Sequence, residues 1–260
     1  MSQEQAEQEI YRIRREQEFH DKRFADDSVR EKKVSRFYSV AQSIKHEYKK
    51  FLLINSKDAR ILEYGCGPGG YAFFLAQNGA KLVTGIDISE VAIEKAMTQA
   101  KSEGIGTNLS FAVMNAEELT FNESSIDLLC GSGILHHLDL GKAMDSIVYV
   151  LSPQGTAIFV EPLGHNILIN LFRCLTPEIR SEDEHPLLER DLTLMKRCFK
   201  KVDIKYYYLT ALAASLLVGL PGFKLVLGAL EFLDRFLFKL PFLQKQAWQV
   251  LIKLSEPIKQ

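Results

Sequence analysis

Ile61-Leu62-Glu63-Tyr64-Gly65-Cys66-Gly67-Pro68-Gly69-Gly70-Tyr71 is the stretch that decides how this 260-residue chain folds. A short apolar run enters a turn dense in glycine. The segment Tyr71 to Gln77 leaves it with helical character, and Gly79 stops that helix. A strand, a glycine turn and a helix start in this order make a cradle for the polar part of a nucleotide-like ligand. Backbone without Cβ atoms can approach such a ligand closely. Seventeen residues beyond Gly70 stands Asp87, which closes a second apolar run, Leu82 to Ile86. A carboxylate at the end of a second strand is placed to accept from ribose hydroxyls.

Outward from this core the chain alternates. Strands are expected at 61–64, 81–87, 109–114, 126–130 and 156–161, separated by helices at 71–78, 89–103 and 140–151. A helix over 187–199, a strand over 202–209 and a last strand near 246–254 follow. Upstream, Val34, Phe37, Ala41, Ile44, Tyr48 and Leu52 recur at helical spacing, so one helix is expected from Val34 to about Asn55. Strands alternating with helices over short turns imply an α/β Rossmann-like sheet, mostly parallel, with helices on both faces. Right-handed crossovers put the strand C-termini on one edge. That edge collects Glu63 to Gly70, Asp87 to Ser89, Asn115 to Glu117, Gly131 to His137, and Glu161.

Two stretches interrupt the alternation. Residues 162–186 are too long and polar for a plain connection and read as a substrate lid. Residues 210–243 form an apolar insertion, with Gly219-Leu220-Pro221-Gly222 dividing its charge-poor part. Four readings stay open for 211–240: a helical hairpin on the core, a wall of the substrate pocket, a membrane-surface helix giving peripheral contact, or a transmembrane span. Residues 1–33 are charged and read as a solvated, partly helical arm, in which Phe19-His20-Asp21 and Phe24 can fold over a site as a lid. Residues 34–260 are then the main domain.

A formal net charge of -1 gives no basic footprint for nucleic acid. The cysteines at 66, 130, 174 and 198 have no metal or redox spacing. With a polar N-terminus lacking a signal-peptide pattern, they point to a cytoplasmic location, or a membrane-associated one if the apolar insertion meets a bilayer.

Gly65-x-Gly67-x-x-Gly70 satisfies the dinucleotide spacing, so NAD competes as the ligand. Glu63 argues against it. A carboxylate facing the turn repels a pyrophosphate and can pair with an ammonium group. A ligand with an amino acid and a ribose but no phosphate suits these residues better, and S-adenosylmethionine is such a molecule.

Several ordered motifs make the same point. Glu63 to Gly69 resembles the first motif of class I S-adenosylmethionine-dependent methyltransferases, and Gly85-Ile86-Asp87-Ile88-Ser89 is similar to their ribose-binding strand end. Asn115-Ala116-Glu117-Glu118-Leu119 resembles the adenine segment, with Asn115 where many members have Asp. Ile126 to Cys130, Ile134 to Leu138 and Leu151-Ser152-Pro153-Gln154-Gly155 resemble later motifs. The likeness covers about residues 34–210 and is nearest to the small-molecule, ubiquinone-pathway type. It implies a seven-stranded sheet whose last strand is antiparallel, and S-adenosylmethionine held by Tyr38, Glu63, Gly65, Cys66, Gly67, Gly69, Asp87, Ile88, Asn115, Ala116 and Gly131. For Tyr38, a plain core role is the competing reading.

Methyl transfer to a hydroxyl needs a base near the crevice. His136, His165 and His185 are the candidates. His137, Glu161, Arg173 and Arg180 are candidates for touching the acceptor, the arginines through an anionic group such as a carboxylate or diphosphate. The competing readings are a structural loop histidine and surface lid charges. The compact metal motif of ubiquinone-pathway O-methyltransferases is missing, so no metal is expected. The apolar C-terminal third favours a hydrophobic small-molecule acceptor and O-methylation over C- or N-methylation. A non-catalytic cofactor- or lipid-binding protein at a membrane surface and an NAD-dependent enzyme are the alternatives.

Overall fold

Alternation of apolar residues places strands at Arg60–Tyr64 (β1), Leu82–Asp87 (β2), Leu109–Val113 (β3), Ile126–Ser132 (β4), Leu151–Pro162 (β5), Phe199–Tyr207 (β6) and Gln249–Pro257 (β7) in a computed structural model. The structure describes residues 3–259, apart from the side chains of residues 29 and 31. The strands form one sheet in the order β3-β2-β1-β4-β5-β7-β6. β1 pairs in parallel with β2 and β4, and β7 runs antiparallel to both β5 and β6. The expected seven-stranded sheet with an antiparallel last strand is therefore observed.

Successive strand residues point to opposite faces. Ile61, Leu128 and Cys130 join the apolar cluster on one face; Leu62, Tyr64 and Leu129 join that on the other. Helix α3 (Gln42–Asn55) buries Ile44, Tyr48 and Leu52 in the first cluster. Burying each such side chain contributes roughly 1.5–3 kcal/mol. On the second face, α6 (Leu140–Val150) buries Ala143, Met144 and Ile147.

Three local expectations change. The single helix foreseen from Val34 to Asn55 is two, α2 (Ser28–Tyr38) and α3, separated by a turn at 39–41 in which Val40 and Ala41 are fully buried. The turn foreseen at Pro153-Gln154-Gly155 is an irregularity inside β5. Ile126 pairs with Leu151 and Leu128 with Thr156, which leaves 152–155 looped out. The charged arm is a 23-residue helix, α1 (Gln3–Ala25), lying on the sheet's C-terminal edge against α5 (Glu90–Glu103).

The C-terminal apolar stretch breaks where expected, with Gly219 and Gly222 both at positive φ. It forms a 3-10 turn at Ala211–Leu217 and the helices α9 (Phe223–Leu237) and α10 (Pro241–Gln244). Asp234 docks α9: its buried carboxylate accepts from the amides of Leu209, Thr210 and Ala211 and from the Thr210 hydroxyl. Among the described residues, no helix is long and apolar enough to cross a membrane.

Candidate active site

Glu63, at the end of β1, organises the glycine turn. Its carboxylate accepts from the amides of Tyr71 and Ala72, both at 2.6 Å, where helix α4 (Ala72–Gln77) begins. A helix start leaves amides without intrahelical partners, and this carboxylate satisfies two of them. Burial pushes the Glu63 carboxyl up to about 8 against these two hydrogen bonds. Beyond the expected role toward an ammonium group, Glu63 has a structural one: both of its oxygens hold the turn while the side chain lines the cavity beside it. Gly70 has φ +39, and a Cβ there would collide with Oε1 of Glu63. The third glycine of the dinucleotide spacing therefore makes room for a carboxylate, and amides a pyrophosphate would need are already taken.

A cavity of about 260 Å³ opens beside this turn. Gly65, Cys66, Gly67, Asp87, Ile88 and Glu63 line one side. Asp87, at the end of β2, accepts from the amide of Gly67 at 2.7 Å and from that of Ser89 at 3.0 Å, so it ties the turn to the start of α5. Asn115 and Ala116 line the cavity with Met114, Ile134 and Leu138. The Asn115 side-chain oxygen accepts from the amide of Glu117 at 3.0 Å.

Three cofactor expectations are corrected by placement. Gly131 is outside the cavity lining. A Cβ there would meet the Tyr64 carbonyl at 2.8 Å, so its role is strand packing, and Ser132 and Gly133 line the cavity instead. Gly69 is also outside, at φ +123 against the Phe73 ring. Tyr38 lines a different cavity and meets Trp248 edge-on at 5.5 Å.

Helix α1 supplies a wall of the first cavity that sequence reasoning only partly anticipated. Arg12, Glu16, His20, Arg23 and Phe24 face it, and the Phe24 ring lies over Gly67. Arg12 donates to both oxygens of Glu117 at 2.7 Å, and Glu117 also accepts from the Asp139 amide at 2.8 Å. The Asp21 side chain takes the Ser89 hydroxyl at 2.5 Å. Glu117 stood in the quoted Asn-Ala-Glu run. Arg12 carried no local signal, because its partner lies 105 residues away.

A second cavity of about 270 Å³ shares Ser132, Gly133, His137 and Arg23 with the first. His136 lines it. The His136 Nδ1 lies 2.7 Å from Glu161 Oε2, and Glu161 Oε1 accepts from the amides of Ile134 and Leu135. An ionised carboxylate only accepts, so Nδ1 carries the proton and Nε2 is left as the acceptor. Glu161 is fully buried and outside the cavity lining, which corrects its expected contact with the acceptor: it orients His136. His137 packs on His136 with ring centroids 4.3 Å apart, and burial followed by the neighbouring His136 lowers its pKa. Arg173 and Arg180 line this cavity.

His165 and His185 line neither cavity, which corrects their candidacy as bases. His185 is exposed on a shallow groove, and only its backbone amide reaches His136, through the carbonyl. His165 lies between β5 and the helix that starts at Ile167, and His185 in the segment that leads into α8 (Glu189–Cys198), so nearness in sequence did not become nearness in space.

The fold also brings together side chains with metal-compatible spacing. Glu16, His20 and His137 have ligand atoms within 4.8 Å of one another, as do His136, His137 and Glu184. Burial alone would raise the Glu16 carboxyl, but His137, His20 and the Ser181 hydroxyl hold it well below the usual carboxylate range.

Residues 61–155 match the family model of a methyltransferase domain. Among curated proteins, the chain is 33% identical over 97 residues to the 27-O-demethylrifamycin SV methyltransferase of Amycolatopsis mediterranei, covering 37% of this chain and 36% of that one. It is 27% identical over 125 residues to the ubiquinone biosynthesis O-methyltransferase of Coxiella burnetii, covering 48% and 52%. The chain spans between 20% and 52% of the length of such relatives. In fold it resembles Haemonchus contortus phosphoethanolamine N-methyltransferase 2, solved with phosphomonomethylethanolamine and S-adenosylhomocysteine, at a TM-score of 0.61 and 18% identity over 84% of this chain and 53% of that one.

Proposed function

Taking as premise that residues 61–155 are a class I S-adenosylmethionine-dependent methyltransferase domain, we propose that the chain transfers a methyl group from S-adenosylmethionine to a hydrophobic small molecule, preferentially at oxygen. The observation that carries this reading is the pair of cavities meeting at Ser132, Gly133 and His137. One has the glycine turn and Asp87; the other has an imidazole whose tautomer is set by a buried carboxylate.

The first cavity suits the cofactor. Ile88, Met114 and Leu138 offer an apolar slot for a planar base, and Asp87 offers acceptors for ribose hydroxyls beside the glycine turn. The cofactor, when bound, supplies a methyl group activated on a sulfonium. The protein aligns the acceptor and, for a hydroxyl, removes a proton. His136 is the base in this reading. Its Nε2 accepts the proton while Glu161 stabilises the imidazolium that results. Helix α1 covers the first cavity and excludes water, a lid role that Phe24 over Gly67 supports. Tyr38, Phe37, Phe172 and Trp248 supply apolar walls for the acceptor.

The direct test is calorimetry with S-adenosylhomocysteine, followed by acceptor screening with labelled cofactor. Binding followed by label transfer to an extracted phenol, quinol or lipid alcohol is expected. No binding of the sulfur compound refutes the reading. His136→Gln is expected to reduce turnover and leave cofactor affinity unchanged.

A second proposal concerns location. The apolar insertion presents Leu216, Leu225, Phe232, Phe236 and Phe242 outward, an array that favours peripheral contact with a membrane surface. Vesicle flotation tests it, and recovery only in the unbound fraction counts against it.

A further inference from the structure

The second cavity is more basic than a site for a purely apolar acceptor requires. Arg30 arrives from α2, and Arg173 and Arg180 from α7 (Ile167–Leu175) and the turn beyond it. Arg23 of α1 stands at the wall shared with the first cavity. Four guanidinium groups from three separate segments thus converge. Two carboxylates serve all four. Glu184 lies 2.6 Å from Arg173 and 3.8 Å from Arg180, and Asp27 lies 3.8 Å from Arg23 and 4.0 Å from Arg30. Among the described residues these two are the carboxylates within ion-pair distance, and Asp87 acts on Arg23 from farther away.

This arrangement costs free energy in the absence of an anion. Burial, then Arg173 and Arg30, hold the Arg180 guanidinium below its ordinary range; burial, then Arg30, does the same for Arg23. The Arg23 Nε is buried without a hydrogen-bond partner. Like charges are not gathered in a half-buried space by packing needs alone, since an apolar residue would fill the space at lower cost. The opposite wall is apolar: Phe37 meets Phe172 at 4.7 Å between ring centroids, and Trp248 lies beside Phe37 at 6.3 Å. The Arg180 guanidinium lies 5.5 Å from the centre of the Phe172 ring, where the charged and apolar halves of the cavity join.

We propose that the second cavity binds an acceptor that carries a phosphate group on an apolar body, with Arg30, Arg173 and Arg180 holding the phosphate and the aromatic wall holding the rest. This rests on the methyl-transfer reading and narrows its substrate class. Arg30, Arg173 and Arg180 outnumber the carboxylates beside them, Glu184 and a shared Asp27, so net positive charge is left for a phosphate, and guanidinium forks suit phosphate oxygens geometrically. Arg30 belongs to the N-terminal helices, so the phosphate also draws the arm against the lid. The Lys33–Glu178 ion pair, between α2 and the turn after α7, marks the same closure.

Octyl phosphate is the probe, with inorganic phosphate and octanoate as separate arms, each titrated calorimetrically into the full chain at low salt. Octyl phosphate is expected to bind more tightly than either. Arg30→Gln and Arg180→Gln are each expected to weaken it about tenfold or more, as loss of one charged hydrogen-bonding partner does. Arg14→Gln, which removes an exposed charge from the same arm, is expected to leave it unchanged. Arg180 also holds the Thr176 carbonyl and hydroxyl, so Arg180→Gln can disturb the lid; Arg30→Gln then carries the test. Equal binding of octanoate and octyl phosphate, or an unchanged affinity in Arg30→Gln, overturns the phosphate site. S-adenosylhomocysteine titrated into the same samples separates the two levels. Its binding with no octyl phosphate binding sinks this inference alone; its failure to bind wild type sinks the methyl-transfer reading beneath.

Discussion

Replacing Gly70 by alanine tests the arrangement of Glu63 and the glycine turn with a built-in control. Gly70 sits at φ +39, and a Cβ would collide with Oε1 of Glu63, which accepts from the Tyr71 amide. A non-glycine residue in the left-handed region costs roughly 1–2 kcal/mol. Displacing Oε1 leaves a buried polar pair without its hydrogen bond, about 1–3 kcal/mol more, because Glu63 is buried and has no water to turn to. The sum is about 2–5 kcal/mol, which for a chain of this size lowers the melting temperature by about 10 °C at roughly 2–4 °C per kcal/mol. Gly104 is the control. It has φ +66 with no neighbouring atom within 4 Å of a built Cβ, so Gly104→Ala carries the strain without the collision and should cost only about 1–2 kcal/mol. Scanning calorimetry of both variants measures the difference. S-adenosylhomocysteine affinity should fall in Gly70→Ala, whose backbone lines the first cavity, and stay unchanged in Gly104→Ala. If the two variants melt together, Glu63 is not held by the turn as described.

Three further outcomes are expected. Asp87→Asn should weaken S-adenosylhomocysteine about tenfold or more, since it removes the charge that takes the Gly67 amide and faces the cavity; an unchanged dissociation constant in calorimetry would falsify the ribose assignment. Glu161→Gln should keep the fold but present an NH2 to His136 Nδ1, which forces the proton to Nε2 and removes the acceptor. Turnover should then fall by about 10²–10⁴ with cofactor affinity intact, and unaltered turnover excludes His136 as base. Stability should depend on pH through Glu63. Its folded pKa, about 8, lies above its ordinary 4.5, so the folded state holds the proton more tightly. Its contribution is fully present below pH 4.5 and is lost as pH rises through about 8, by up to about 5 kcal/mol. Denaturant midpoints of wild type minus Glu63→Gln at pH 5, 7 and 9 should show that slope, and a flat difference rejects the burial of an uncompensated carboxyl.

The residues most legible in sequence were those whose partners are local. Glu63, Gly67, Asp87 and Ser89 lie within 26 residues of one another, and strand, turn and helix start bring them together on one edge. The apolar alternation of Ile61-Leu62 or Leu128-Leu129-Cys130 reports two buried faces directly, because side-chain direction follows backbone period. From these residues the parallel sheet and the crevice edge followed; the antiparallel last strand was expected only from the family resemblance. That Glu63 also holds the turn was not legible, because the spacing shows where a carboxylate stands but not which backbone donors reach it. They are the amides where α4 begins.

The placing of the arm, of the candidate bases and of the second cavity depended on tertiary structure. Helix α1 is polar, and a polar helix has no apolar stripe to say where it docks. It is held by charge and hydrogen bonds to distant residues: Arg12 to Glu117, Arg15 to Asp183, Asp21 to Ser89. His136, His165 and His185 looked alike in the sequence. Only folding put Glu161 against the first and turned the other two away from the cavities. The sequence by itself determined the sheet and the cradle, since both arise from backbone periodicity and short-range turns. The pair of cavities and the gathering of arginines in the second were decided by packing between segments far apart in sequence, α1 and α2 against the chain beyond β5, which no local pattern encodes.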